Sequence, residues 1–266
     1  MTERRSRLAD TFDKCRAENR AALVGYLPAG FPTVPKSIEV FETMVANDAT
    51  SSRSYSLLGP RDGRPDDPSR SRHSLTCRAR VRDVFTVVEK VSAAGGKAVV
   101  MTYWNLVMHY GVDAFARDLA AAGGLGIITP DLIPDEAGAW IEASDAHDLD
   151  RIFLLAPSST EERIASTVAA SRGFVYAAST MGVTGARDAV SSAAPELTER
   201  IRRHSDIPVG VGLGVRSGAQ AAEIAQYADA VIVGSALVTA VDNGLGAVAE
   251  LTSELAEGVR SASLAS

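Results

Sequence analysis

A (β/α)8 barrel is the fold that this sequence predicts, on three observations. Short apolar runs bounded by turn residues alternate with longer segments of helical period, which implies a parallel sheet wrapped by helices. The runs are too many for an open five-stranded sheet. The length, 266 residues, suits one barrel domain.

The expected strands are Ala22–Leu27, Ala98–Tyr103, Leu125–Ile128, Arg151–Ala156, Phe174–Ala178, Val209–Leu213 and Ala230–Val233. They are rich in Val, Ile and Leu, as strands buried on both faces should be. Helical period marks Val34–Asn47, Val81–Ala94, Asp113–Ala122, Asp135–His147, Thr160–Ser171, Pro195–His204 and Ser217–Gln226. Thr33, Ser159 and Ser217 are of the types that cap helix N-termini. Leu245–Val259 is expected to close the ring, and Leu8–Glu18 to form an extra helix ahead of the first strand. That makes seven strands where a closed barrel needs eight. The gap falls between Asn47 and Val81, so the second βα unit reads as disrupted. Residues 1–266 are one domain in this reading, with residues 48–80 an anomalous, irregular segment.

Composition narrows the function. A formal charge of −6 argues against a nucleic-acid partner, since such proteins present a basic face. No apolar run reaches the length of a membrane span, and the basic N-terminus lacks the apolar stretch of a secretory signal. Cys15 and Cys77 fit neither a metal spacing nor a disulfide framework, which suits a reducing cytoplasm. His73, His109, His147 and His204 are scattered and read as surface residues; no metal is expected.

Two glycine turns are the clearest chemical signal. Gly212-Leu213-Gly214 follows the penultimate strand and Gly234-Ser235 the last one. Barrels often bind phosphate there, through backbone N–H groups and a helix N-terminus, and glycine lets the backbone approach the oxygens. Tight βα turns are the alternative for either pair alone; two at adjacent late strands favour phosphate. Tyr103, Asn105 and Tyr176 fall at strand C-termini, where barrel sites lie, although core packing explains such aromatics equally well.

Several motifs together resemble the tryptophan synthase α subunit family. They are ALVGYLPAGFPT (Ala22–Thr33), VVMTYWN (Val99–Asn105), ITPDLIPDEA (Ile128–Ala137), FVYAASTMGVTGAR (Phe174–Arg187), VGLGV (Val211–Val215) and VIVGSALV (Val231–Val238). The resemblance implies a lyase that cleaves indole-3-glycerol phosphate to indole and glyceraldehyde 3-phosphate. It implies no cofactor in this chain. It also implies a β subunit carrying pyridoxal phosphate, joined in an αββα complex, with the loop after the second strand and the Asn105–Tyr110 region facing β. By the same resemblance the phosphate would sit on Gly185, Gly214, Gly234 and Ser235, beside Gly212 and Leu213. Tyr103 and Tyr176 would line the indole pocket, and Thr184 would lie in a lid spanning Gly182–Ala194.

The odd segment, DATSSRSYSLLGPRDGRPDDPSRSRHSLTCRAR, replaces the family's catalytic string, roughly G-A-D-x-I-E-x-G-x-P-Y-S-D-P-x-x-D-G-P-x-I-Q. Its Glu and first Asp are the expected general acid-base pair. Neither is intact: the Glu is expected near Arg53 and the Asp near Gly59. If P-Y-S-D-P-G-M-D-G-P-T-I-Q is written in codons and read from the third base, it yields every residue from Leu57 to Pro68. D-V-I-E-V read from the second base yields Thr50 to Ser54. The segment therefore resembles a frameshifted version of the family's own string. A lineage-specific loop insertion is the alternative. On this reading the printed chain is severely impaired as a lyase. The rival functions are a non-catalytic, allosteric partner of β, or another phosphate-binding barrel enzyme. The latter needs an inward lysine at a strand end, and Lys97 is poorly placed for it.

Overall fold

The structure, a computed structural model, describes residues 5–47, 80–178, 193–212 and 214–262, with 55–59 as backbone. Its strands are β1 (Ala22–Pro28), β2 (Tyr55–Gly59), β3 (Lys97–Met101), β4 (Gly126–Thr129), β5 (Asp150–Leu155), β6 (Val175–Ala178), β7 (Val209–Gly212) and β8 (Ala230–Val233). All pair in parallel in chain order, and β8 returns to β1, so the barrel is closed.

The helices in chain order are α1 (Ala9–Ala17), α2 (Val34–Asn47), α3 (Val81–Ala93), α4 (Trp104–Tyr110), α5 (Val112–Ala121), α6 (Gly138–Ala146), α7 (Glu161–Ala170), α8 (Ala193–Arg202), α9 (Gly218–Ala225), α10 (Ser235–Asp242) and α11 (Leu245–Ser261).

The count of seven strands is corrected. Tyr55–Gly59 fills the second position, pairing Val24 with Tyr55 on one side and Tyr55 with Lys97 on the other. A strand between two fixed neighbours needs only backbone N–H and C=O groups for its ladder. The Leu57-Leu58 pair is enough apolar sequence for a five-residue strand, although nothing around it looks like one. The unit then completes itself: Asp83 accepts the Arg80 backbone N–H at 2.6 Å and opens α3.

Alternation along each strand divides the core in two, as the period of two requires. One set, including Leu23, Val100, Ile127, Phe153, Val211 and Val233, faces the helices. The other, including Val24, Val99, Ile128, Ile152 and Ile232, fills the barrel interior. Leu8, Phe12 and Cys15 join the interior set, so α1 plugs the N-terminal end of the barrel; the Phe12 and Phe174 rings lie 5.8 Å apart.

Asp150, fully buried at the start of β5, holds this plug in place. Its carboxylate accepts Ser6 Oγ–H at 2.7 Å and the Leu8 N–H at 3.1 Å. Arg172 Nε stands 3.2 Å from the other oxygen, off line for a hydrogen bond, so that contact is Coulombic and both atoms lack a hydrogen-bond partner. Burial pushes the Asp150 carboxyl up, against the pull of Ser6 and Arg172.

Three further expectations change. The helix read over Asp135–His147 is split, because Pro134 starts a 3-10 turn over Pro134–Glu136 and α6 begins only at Gly138. Ser159 does not cap α7; Thr160 does, accepting the Arg163 N–H, while Ser159 closes the preceding turn. Lys97 is the first residue of β3 rather than lying ahead of it.

Candidate functional site at the barrel mouth

The parallel strands all end at the rim opposite the plug. There the interior set finishes in four partly buried side chains: Tyr26, Met101, Leu154 and Tyr176. Each lies two residues beyond an interior neighbour (Val24, Val99, Ile152, Phe174), so strand alternation aims all four inward. They form an aromatic and apolar floor. Burial, and then the neighbouring Tyr26, push the Tyr176 phenol up to about 12. It is therefore neutral at physiological pH, a hydrogen-bond donor rather than a charge.

Gly212 and Gly234 do more than the sequence reading assigned them. A Cβ on Gly212 would lie 2.2 Å from the Tyr176 hydroxyl, and one on Gly234 would lie 3.1 Å from the Tyr26 ring. The Tyr176 hydroxyl occupies the space that a side chain on Gly212 would need, and Tyr26 leaves little room beside Gly234. Gly214, exposed, has φ +68°, the left-handed region that favours glycine.

Gly234 is also the N-cap of α10, and among the described residues no side chain caps that helix. The first intrahelical bond runs from Val238 N–H to Gly234 O at 3.1 Å. The first-turn N–H groups of α10 thus meet the rim with the positive end of the helix dipole. Ser235, exposed, is its first residue. Gly212, Gly214, Gly234 and Ser235 are brought together on the β7–β8 side of the mouth.

Tyr103 and Asn105 sit elsewhere than a strand end. β3 stops at Met101; Tyr103 is the half-buried N-cap of α4, and Asn105 is an exposed residue of that helix. Asp131, after β4, holds α4 in position: its two oxygens accept the Trp104 N–H at 2.9 and 3.1 Å. This carboxylate organises the rim.

Gly59, where the Asp is expected, is the last residue of β2 and pairs with Pro28 at the rim. It brings no side chain. Arg53 precedes the first residue of β2 in sequence, and with Thr184, Gly185 and Leu213 it lies outside the described residues. Among the described residues no group of three or more His, Cys, Asp or Glu could hold a metal ion. No helix of the described residues is long and apolar enough to cross a membrane. His147 pairs with Asp113 and His204 with Glu161 on the outer surface, at 2.9 and 2.8 Å.

The sequence reading missed Tyr26, Met101 and Leu154, although counting by twos from the strand interiors would have found them. It also missed α4 and α10, which have seven and eight residues, too short for a helical period to stand out.

A closed parallel barrel with its site among the C-terminal loops and a glycine-flanked helix end at the last strands is the layout of a phosphate-handling barrel enzyme. Comparison with known proteins narrows this. The sequence profile of the family described as tryptophan synthase alpha chain matches residues 12–263. The alpha chain of Nocardia farcinica (strain IFM 10152) is 64% identical over 262 residues, covering 98% of each chain. That of Mycobacterium tuberculosis (strain ATCC 25618 / H37Rv) is 65% identical over 258 residues, 96% of this chain and 95% of its own. A solved structure of M. tuberculosis tryptophan synthase superposes with a TM-score of 0.90 at 62% identity, covering 97% of this chain and 99% of that one. The chain belongs to the tryptophan synthase alpha chain family. Its place is therefore tryptophan biosynthesis, and its class by family is a lyase that cleaves indole-3-glycerol phosphate.

Proposed function

We propose that the mouth of this barrel binds indole-3-glycerol phosphate, with the phosphate on the β7–β8 side and the indole on the floor. The uncapped N-terminus of α10, flanked by Gly214 and Gly234, is the observation that carries the reading. A dianionic phosphate would accept from the Ser235 N–H and its neighbours and would meet the helix dipole favourably. Tyr26, Met101, Leu154 and Tyr176 present the flat apolar surface that an indole ring needs. By resemblance Gly185 and Leu213 belong to the phosphate subsite and Thr184 to the lid over the mouth, while Tyr103 and Asn105 border the indole from the α4 side.

The retro-aldol step breaks the bond between indole C3 and the glycerol chain. An acid protonates indole C3, which puts positive charge on the ring nitrogen; a base then takes the hydroxyl proton as the aldehyde forms, and the electrons of the breaking bond restore the C2=C3 double bond and neutralise the nitrogen. Carboxylates suit this work. At the rim of β2 this chain has Gly59, and where the Glu is expected it has Arg53, which cannot accept a proton at neutral pH. The chain as printed therefore binds substrate and cleaves it poorly. Losing one general acid or base costs about 10²–10⁴-fold in rate.

The partner is a β subunit that carries pyridoxal phosphate, in an αββα complex within the cytoplasm. Met108 on α4 is 60% exposed, and it lies within Asn105–Tyr110, the region that the resemblance turns towards β. Binding without cleavage makes the printed chain an allosteric partner of β, a second reading that Gly59 at the β2 rim favours. Lys97 at the plug end of β3, away from the mouth, disfavours a lysine-dependent barrel enzyme.

Equilibrium binding of indole-3-glycerol phosphate, followed by indole release with and without β, tests the reading. The expected result is saturable binding with little indole. Absence of binding would overturn it.

A further inference from the structure

We propose that Glu254, on α11, is a positioning residue for the phosphate: it ties the start of α9 to α11 and so fixes the turn between β7 and α9 that carries Gly214. The proposal rests on the phosphate subsite of the functional reading above and deepens it.

β7 ends at Gly212 and α9 begins at Gly218, so a short turn presents Gly214 at the mouth. Backbone groups on such a turn serve an anion well only if they are held in place before it arrives; otherwise binding carries the cost of ordering them. Two side chains of α9 and its cap shape the turn from within. Gln220 Oε1 accepts the Arg216 N–H at 2.8 Å, and Ser217 Oγ accepts the Gln220 N–H at 3.3 Å. Val215, between them and Gly214, is buried in the core that faces the helices. The polar tie beyond α9 comes from α11, where Glu254 Oε1 accepts the Gly218 N–H at 2.7 Å.

The packing of the two helices sets that carboxylate in place. Glu254 and Gly258 are four residues apart and share a face of α11, and both meet Gly218. A Cβ on Gly258 would lie 2.2 Å from the Gly218 carbonyl oxygen, and one on Gly218 would lie 2.6 Å from that of Glu254. The two backbones are therefore in direct contact at the first residue of α9. Gly218 and Gly258 are buried, whereas Glu254 is exposed and lends only its carboxylate to the contact. The apolar face of α11 is built from other residues, Val248, Leu255 and Val259 among them.

The two helices that start beside the subsite thus differ. In α9 the first N–H is taken by a carboxylate and the third by the capping serine. A fixed negative charge already meets the positive end of its dipole. In α10 no side chain among the described residues does either. The phosphate is received at α10, and α9 with its turn supplies a fixed edge beside it.

Calorimetric affinities for indole-3-glycerol phosphate and for indole, which has no phosphate, test this on the full chain and on Glu254→Ala and Glu254→Gln. Glutamine keeps an acceptor for the Gly218 N–H and removes the charge. Glu254→Ala should bind indole-3-glycerol phosphate about threefold to tenfold more weakly, the order of one weakened hydrogen bond. Its affinity for indole should be unchanged, and Glu254→Gln should stay close to the parent. Equal losses for the two ligands in Glu254→Ala would mark a general loosening of the barrel and overturn the proposal. Parent-like or tighter binding of indole-3-glycerol phosphate by that variant would overturn it as well. Hydrogen exchange at the Arg216 N–H, which is bonded to Gln220 and not to Glu254, gives a second reading. Faster exchange there in Glu254→Ala alone is expected, and no change contradicts the tie. Should the parent chain fail to bind indole-3-glycerol phosphate, the functional reading falls, and exchange at Arg216 still decides whether Glu254 fixes the turn.

Discussion

The two ends of the barrel are built on opposite principles. At the plug end, Leu8 and Phe12 are buried inside the barrel and Asp150 is enclosed among Ser6, the Leu8 N–H and Arg172. At the mouth, the floor residues remain partly exposed, α10 begins without a side-chain cap, and glycines stand where side chains would otherwise fill the space. One end spends its sequence on stability and the other leaves donors and space for a ligand. Substitutions at the two ends should therefore separate into those that unfold the protein and those that weaken binding.

The largest effect is expected at the plug. Phe12→Ala removes a ring packed on Phe174 and should lower unfolding stability by about 3–5 kcal/mol, read by urea titration. Next comes Asp150→Ala, which leaves the Ser6 hydroxyl without its acceptor, the Leu8 N–H with Ser6 Oγ alone, and Arg172 without that counter-charge. A loss of about 2–3 kcal/mol is expected, with hydrogen exchange rising first in the N-terminal arm and α1. Equal protection there in variant and parent would show that the Asp150 cluster does not hold the plug.

The same residue gives the plug a pH signature. The folded-state pKa of Asp150 lies above its ordinary value of 3.8. Between those two values the folded protein holds the proton more tightly than the unfolded chain. Its contribution to stability therefore falls as pH rises through that window and levels off above it. Asp150→Asn should remove this slope from a plot of urea midpoint against pH. An unchanged slope would assign the dependence to other groups.

At the mouth the order reverses. Ser235→Pro places proline at the first position of α10, where helices accept it, and removes one N–H donor. Stability should move by about 1 kcal/mol or less, while affinity for indole-3-glycerol phosphate should drop about tenfold or more, as for one hydrogen bond to a charged group. Calorimetry reads both. The smallest stability change is expected for Tyr176→Phe, which keeps the ring and removes a hydroxyl above Gly212. Stability within about 1 kcal/mol of the parent is expected, with the change appearing in substrate affinity.

Strands buried on both faces announced themselves as apolar runs, and β8 appears over the predicted residues, Ala230–Val233. Helix α2 likewise follows its apolar period over Val34–Asn47. The second strand was invisible because its side chains carry almost none of the information; its neighbours and its backbone place it. Gly212 and Gly234 were read as phosphate-binding glycines, but their clearance for Tyr176 and Tyr26 depends on contacts across strands that no local pattern reveals. Asn105, read at a strand end, lies on α4 instead; β3 stops at Met101, and Asp131, distant in sequence, accepts the Trp104 N–H where α4 begins.

In the proposed function this barrel keeps its substrate site and lacks the carboxylates that act on it. The most direct measurement compares indole release from indole-3-glycerol phosphate, in the presence of β, by the printed chain and by one with the in-frame segment restored between Asn47 and Val81. Binding by both is expected, with indole release by the printed chain slower than by the restored one by about 10²–10⁴-fold or more. Equal turnover by the two would contradict it.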